Sequence, residues 1–155
     1  MTETIAWPTK TRELHNHHFD STIWNDFRFR HDDDVVASYA KAGTTWTQQI
    51  VAQLLLGPDP DLEVAEMSPW LDLRIPPKEV KLPMVEAQTH RRFLKTHLPL
   101  DALVFSPEAK YVYVGRDGGN RAIPAPHGRA LARRVGDALD DAPPTSRLVR
   151  VDRCT

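Results

Sequence analysis

Residues 34–56 read DVVASYAKAGTTWTQQIVAQLLL and contain a strand pattern, a turn and a helix pattern in immediate succession. Residues 34–39 predict a short buried strand, because apolar and β-branched residues cluster in a run of only six. Residues 44–56 predict a helix that begins at Thr44 or Thr45 as its N-cap and ends at Gly57-Pro58. A strand that passes through a glycine turn into a helix indicates an α/β fold.

The large apolar residues of the predicted helix recur at helical spacing. Trp46, Ile50 and Leu54 are four residues apart, and Val51 and Leu55 accompany them. Such a stripe usually faces the interior. We therefore expect Trp46 to lie in the core, which is where large aromatic side chains usually go.

Two more strands are predicted downstream, at residues 92–96 (RFLKT) and 110–114 (KYVYV), the second rich in β-branched and aromatic residues. Residues 58–83 contain six prolines, which argue against long helices and leave room for a short one near residues 63–67. The order strand, helix, strand, strand favours a mostly parallel sheet.

Composition limits the function. The 155 residues carry a formal net charge of −1, which argues against general electrostatic binding to nucleic acid or to an anionic membrane. The only cysteine, Cys154, cannot form an internal disulfide or a CxxC metal site, and this fits a reducing compartment. No secretory signal and no apolar run long enough to cross a bilayer is visible, so we expect a soluble, cytoplasmic protein.

The turn between the first strand and the helix has the features of an anion site. Gly43 lets the backbone approach a phosphate, the hydroxyls of Thr44 and Thr45 can donate to it, and Lys41 adds a positive charge. Ala42-Gly-Thr-Thr alone would also fit an ordinary helix N-cap, but the preceding strand and lysine favour the anion site. Because Lys41 precedes the glycine, the loop is not a Walker motif, and a kinase or other P-loop NTPase is the weaker alternative.

The loop from Tyr39 to Trp46, YAKAGTTW, resembles the YPKSGTTW phosphosulfate loop of the sulfotransferase family. Further similar segments follow in the family's order: WLDLR at 70–74, FLKTHLP at 93–99, and YVYVGRD at 111–117. The resemblance covers residues 5 to 117. It implies a P-loop-like three-layer α/β fold, incomplete at its C-terminal side, and 3′-phosphoadenosine-5′-phosphosulfate (PAPS) as sulfate donor without a metal.

The same resemblance implies roles for individual residues. His97 would be the catalytic base towards a small-molecule hydroxyl or amine acceptor, assisted by Lys41 and Lys95. Taken alone, His97 would better suit a packed, hydrogen-bonded histidine after a strand, and Arg116-Asp117 could equally be a surface ion pair. The implied cofactor-binding residues are Lys41, Ala42, Gly43, Thr44, Thr45, Trp46 and Arg116, the last at the 3′-phosphate.

The chain departs from the family after residue 117. Pro124 occupies the position of a family serine that contacts the 3′-phosphate, and the later family segments do not follow. Residues 118–155 are rich in Arg, Ala and Pro and lack Lys and aromatic residues, as an out-of-frame translation would. We therefore predict residues 1–117 as the N-terminal part of a sulfotransferase domain and 118–155 as a divergent or disordered tail with one short helix at 128–140.

Loss of the later family segments has consequences for solubility and for function. A truncated or frameshifted sulfotransferase would expose apolar surface, so we expect self-association, and an inactive fragment or passive phosphate-binding module is the alternative function.

His15, His17 and His18 lack the partners of a metal site. Residues 32–34, all Asp, suggest a solvated loop. Trp7, Trp24 and Trp70 suit either an acceptor pocket or the core.

Overall fold

The computed structural model describes residues 8–59 and 61–115, together with the backbone of residues 147–151. The helices are α1 (Ile23–Asp26), α2 (Thr44–Leu56), α3 (Val64–Met67) and α4 (Lys78–Glu86), and one 3₁₀ helix covers Leu100–Ala102. The strands are β1 (Asp34–Ser38), β2 (Phe93–Thr96), β3 (Lys110–Gly115) and β4 (Arg147–Val151). The three strands predicted from the sequence and the helix at 44–56 are thus confirmed.

The strands form one sheet in the order β2-β1-β3-β4. β1 lies in the centre and pairs in parallel with β2 and with β3, which confirms the α/β fold with a mostly parallel sheet. β4 pairs with β3 in the antiparallel direction, with Arg147 opposite Gly115. The sequence patterns of the tail did not indicate this strand, and the helix predicted at 128–140 lies outside the described residues.

Two apolar layers cover the sheet, because all five residues of β1 are buried and alternate between its faces. On one face Val35, Leu94 and Tyr111 pack with Trp24 and Leu98 in the larger core cluster. On the other face α2 and α3 pack on Phe93 through Ala52 and Val64. The outer edge of β2 is also engaged, because Trp70 forms a parallel bridge with Lys95.

The prediction that Trp46 lies in the core is wrong. The side chains of Trp46, Ile50 and Leu54 are 78%, 50% and 79% exposed. The face of α2 that packs on the sheet instead contains Thr44, Gln48 and Ala52. The two stripes are offset by two residues, or about 200° around a helix, so that they lie on opposite faces. The self-association expected from exposed apolar surface stays a prediction.

Three further details differ from the sequence patterns. The N-cap of α2 is Gly43 rather than Thr44 or Thr45. α4 runs through Pro83 in the segment where prolines argued against a long helix, because Pro83 costs this short helix only one N–H donor and its side chain is exposed. The acidic run at 32–34 is not a solvated loop throughout, because the buried Asp33 is paired with Arg92 and the buried Asp34 with Arg91.

Within the part of the chain that the structure describes, no helix is long and apolar enough to cross a membrane.

Candidate functional site

The carboxyl ends of the three parallel strands meet at one edge of the sheet. Ser38, the last residue of β1, is level with Val114 of β3, and its neighbour Ala37 is level with Thr96, the last residue of β2. The segments that follow β1 and β2 contain the Lys41 loop and His97. Crevices outside the carboxyl ends of parallel strands are where open α/β sheets bind ligands.

The loop after β1 has a backbone shape that favours glycine. Gly43 has φ 107° and ψ 20°, and Lys41 has φ 65°. A β-turn hydrogen bond from the N–H of Ala42 to the carbonyl of Tyr39 (3.1 Å) tightens the loop. The helix then begins with the N–H of Thr47 donating to the carbonyl of Gly43 (3.0 Å).

The first turn of α2 presents unpaired backbone donors to the loop. The N–H groups from Gly43 to Trp46 precede the first intrahelical hydrogen bond, and no side chain caps them. These groups and the helix dipole create a positive potential at this point. An anionic oxygen fits such a cradle, and the exposed side chain of Lys41 lies beside it.

The threonines of the loop differ in their availability. The Thr44 hydroxyl is buried and hydrogen-bonded to the Ser38 hydroxyl, which ties the end of β1 to the start of α2. The Thr47 hydroxyl donates to the carbonyl of Gly43 (3.1 Å). The side chains of Thr45 and Trp46 are exposed. Thr45 is therefore the threonine of the loop with an exposed side chain.

His97 lies directly after β2 and is anchored to β1. Its Nδ1 is 2.8 Å from the carbonyl oxygen of Ser38, and because a carbonyl only accepts, Nδ1 carries the proton and donates it. Its ring meets the Trp70 ring edge to face at 4.6 Å and 78°. Burial lowers the pKa of His97 below its usual value, and the Lys95 charge lowers it further, whereas the Ser38 hydrogen bond and Asp72 oppose these effects. The neutral imidazole therefore leaves Nε2 as a proton acceptor.

Lys95 points to the same region from the end of β2. Its Nζ lies 5.3 Å from the centre of the Trp70 ring, in a cation–π contact. Burial lowers the pKa of Lys95, Asp72 raises it, and repulsion from Lys41 lowers it. Two ammonium groups that repel each other at one edge of the sheet favour an anion between them.

The structure thus brings together Lys41, Ala42, Gly43, Thr44, Thr45, Lys95 and His97, whereas Trp46 begins the exposed stripe on the far side of α2. Arg116 follows the last residue of β3 and lies outside the described residues.

Three residues organise the site, and the sequence patterns gave no role to Asp72 and Lys81 and only a pocket or core alternative to Trp70. Trp70 contacts both His97 and Lys95, and the buried Asp72 accepts hydrogen bonds from the indole N–H groups of Trp24 (3.1 Å) and Trp70 (2.7 Å). Lys81 is buried, and its ammonium donates to the carbonyl groups of residues 70, 71 and 73. The family-like WLDLR segment was the available signal, although it did not show which of its side chains turn inward.

An open cavity of about 470 Å³ has Trp70 in its lining. Most of its lining is apolar and comes from the 69–76 segment and from α4, and Lys81 is its main buried charge. The apolar lining residues include Pro69, Trp70, Leu73, Ile75, Met84 and Val85.

The side chains of the histidine cluster contact neighbours that are close in sequence. His15 lies 3.1 Å from Asp20, and the rings of His17 and His18 are 3.9 Å apart. Among the described residues, no group of three or more His, Cys, Asp or Glu side chains is placed to hold a metal ion. Trp24 is buried in the core, and Trp7 lies outside the described residues.

Comparison with known proteins shows what the chain is similar to. Residues 31–127 match the family profile of the sulfotransferase domain. A glycolipid sulfotransferase of Mycobacterium tuberculosis is 41% identical over 105 residues, which are 67% of this chain and 32% of that protein. Sulfotransferase 1A1 of Canis lupus familiaris is 30% identical over 118 residues, covering 70% of this chain and 39% of the relative. The chain therefore spans about a third of the length of the curated relatives it matches.

Proposed function

The chain belongs to the sulfotransferase family, and from that premise we propose that its site transfers a sulfuryl group from PAPS to a hydroxyl or amine acceptor. PAPS is the general sulfate donor of the family. Its use by this chain, and the catalytic activity itself, are parts of the proposal.

One observation carries this proposal. The hydrogen bond from His97 Nδ1–H to the Ser38 carbonyl (2.8 Å) joins the proposed base to the residue where the phosphate loop starts. It fixes the tautomer, so that Nε2 is the unprotonated nitrogen, and burial keeps the pKa of the ring low enough for it to be neutral near pH 7. A base tied by one hydrogen bond to an anion cradle is the arrangement that acceptor activation beside a phosphosulfate requires.

The residues present fit the charged end of PAPS. The N–H groups from Gly43 to Trp46 suit phosphate oxygens, and Lys41 and Lys95 supply the charge that balances them. We assign Thr45 as a hydroxyl donor to this group, because its side chain is exposed whereas that of Thr44 is bonded to Ser38. Arg116 follows β3 directly, and we propose that it contacts the 3′-phosphate.

In the proposed reaction, the acceptor hydroxyl gives its proton to His97 Nε2 as its oxygen forms a bond to sulfur. The bond between sulfur and the bridging phosphate oxygen breaks, and that oxygen keeps the electron pair. Lys41 stabilises the negative charge that grows on this oxygen, and Lys95 stabilises the transferring sulfuryl oxygens. The products are the sulfated acceptor, 3′,5′-bisphosphoadenosine and a protonated His97.

The cavity beside Trp70 supports an acceptor with an apolar body. Its volume of about 470 Å³ and its mainly apolar lining would hold a chain or ring system, and Trp70, which lines the cavity, also contacts His97. The relative in Mycobacterium tuberculosis is named a glycolipid sulfotransferase. We propose an amphipathic alcohol as the acceptor class for this chain.

Transfer of radiolabelled sulfate from PAPS to an alkyl glucoside tests the proposal. The variant His97→Gln should lower the rate by about 10²- to 10⁴-fold, as loss of a general base does, while binding of 3′,5′-bisphosphoadenosine is retained. His90→Gln is the matched control, because His90 also points its Nδ1 at a carbonyl (2.9 Å from that of Arg91) but precedes β2 instead of following it.

Equal rates for the wild-type chain and His97→Gln would refute the assignment of the base. Binding of 3′,5′-bisphosphoadenosine without transfer to any hydroxyl or amine would instead identify a passive phosphate-binding module.

A further inference from the structure

Asp72 lies buried beside the site, and none of the roles proposed above belongs to it. Its side chain is 1% exposed. Oδ1 accepts a hydrogen bond from Trp24 Nε1 (3.1 Å), Oδ2 accepts one from Trp70 Nε1 (2.7 Å), and the side chain of Thr96 adds a third. All three donors are neutral groups. Burial raises the pKa of Asp72, and the hydrogen bonds from Thr96, Trp70 and Trp24 oppose this by stabilising the carboxylate.

The hydrogen bond to Trp70 limits the rotation of the indole. The backbone of this segment is already fixed against β2, because the N–H of Leu71 donates to the carbonyl of Lys95 (3.1 Å) and the N–H of Lys95 donates to that of Pro69 (3.0 Å). The side-chain torsions of Trp70 are what remains free. The bond from its Nε1 to Asp72 fixes them.

The fixed indole in turn contacts both proposed catalytic side chains. The imidazole of His97 meets it edge to face at 4.6 Å, and the ammonium of Lys95 lies 5.3 Å from its centre. We propose that Asp72 is a positioning residue that acts through the Trp70 indole to hold His97 and Lys95 in their places. This inference rests on the proposed function, because it concerns the side chains to which that function assigns the chemistry.

The charges around the carboxylate agree with this role. The negative charge of Asp72 raises the pKa of three neighbouring groups, Lys81, Lys95 and His97. In each of them burial has the larger effect and lowers the pKa. These groups face Asp72 from α4, from β2 and from the segment after β2, and Lys41 of the loop acts on Lys95 in the opposite sense. Removal of the Asp72 charge should therefore lower the pKa of His97 further.

A purely structural role is the competing explanation, because a buried carboxylate that joins two tryptophans would also stabilise the core. Stability alone cannot separate the two roles. The C–H resonances of the His97 ring can, because the neighbouring indole displaces them and their pH titration reports the local charge. They are assigned among the seven histidines by their loss in His97→Gln.

The test compares two variants with the wild-type chain and one control by NMR, without donor or acceptor. Asp72→Asn keeps the shape but offers one acceptor oxygen where the carboxylate offers two. It should move the His97 C–H resonances towards those of free histidine and lower the pH at the midpoint of the His97 titration. Trp70→Phe keeps a ring and removes the N–H, and it should reduce the displacement of the same resonances. Asp34→Asn alters another buried aspartate, at the start of β1 and paired with the partly exposed Arg91, and should leave His97 unchanged.

A folded Asp72→Asn variant with unchanged His97 resonances and midpoint would overturn the inference. If Asp72→Asn does not fold, unchanged resonances in Trp70→Phe would overturn it as well. Because the readout needs no sulfate transfer, a chain that never transfers sulfate can still show the coupling, and an active chain can still lack it.

Discussion

The backbone of the phosphate loop predicts a stability cost that can be assigned to a single torsion. Gly43 has φ 107° and ψ 20°, and a Cβ placed there would meet no atom within 4 Å. Gly43→Ala therefore creates no clash, and its cost is conformational only. An L-residue in the left-handed region costs about 1–2 kcal/mol. For a chain of this length that corresponds to a fall in Tm of about 2–8 °C.

Gly115→Ala is the matched control. A Cβ at Gly115 also meets nothing within 4 Å, but its φ is not positive and it lies in β3. The same added methyl group should be neutral or stabilise the fold by about 0.4–1 kcal/mol, because alanine restricts the unfolded chain. Urea unfolding and thermal unfolding of both variants measure the difference. Equal stability of the two variants would refute the argument that φ at Gly43 requires glycine.

Two further predictions concern buried charge and pH. Arg92→Met leaves the buried carboxylate of Asp33 without its partner and should lower the free energy of unfolding by about 3–5 kcal/mol. Arg12→Met, at the exposed pair with Asp101, should lower it by only about 0–1 kcal/mol. Similar losses for the two variants in urea titrations would contradict the difference expected between a buried and an exposed ion pair. Burial lowers the pKa of His97 in the folded chain below its value in the unfolded chain. The stability that depends on a neutral His97 is therefore fully present above about pH 6.5, and it is lost as the pH falls through the pKa of His97 in the folded chain. Urea titrations at pH 7.5 and 5.5 should thus show a smaller loss in His97→Gln than in the wild type, and equal losses would show that His97 does not contribute.

The sheet and the loop could be predicted from the sequence because local rules determine them. A β-branched run, the turn at Gly43 and the stop at Gly57 involve only neighbouring residues, and the structure agrees with them within one or two residues. The placement of the Lys41 loop and of His97 after neighbouring parallel strands also follows from the sequence order, since parallel strands place their carboxyl ends at the same edge.

Long-range contacts account for what the sequence did not show. Trp46, Ile50 and Leu54 form an apolar stripe with helical spacing, yet the stripe offset by two residues is the one that packs on the sheet. The spacing of the residues shows that the two stripes lie on opposite faces of the helix. It does not show which of the two faces packs on the sheet. In the folded chain the stripe that contains Gln48 packs on the sheet, and the Gln48 amide donates to the backbone carbonyl of Ser68 (2.9 Å).

The same reason explains the missed residues of the site. Asp72 would be ordinary in a polar turn, and only the approach of Trp24 from 48 positions earlier in the chain makes it a buried acceptor. Asp33 becomes buried in the same way, through Arg92, which lies 59 positions later. Partners so distant in sequence leave no local pattern.

The proposed function depends on binding of the phosphate end of the sulfate donor by the Lys41 loop. Calorimetric titration of the chain with 3′,5′-bisphosphoadenosine tests it directly, with ATP as the competing nucleotide and Lys110→Ala as the control, because Lys110 is a half-exposed lysine paired with Asp32 away from the loop. We expect selective binding of 3′,5′-bisphosphoadenosine that Lys41→Ala weakens by about 10- to 100-fold, the size of a charge-assisted hydrogen bond, and that Lys110→Ala leaves unchanged. A folded chain that binds no 3′,5′-bisphosphoadenosine, or binds it equally well after Lys41→Ala, would contradict the claim.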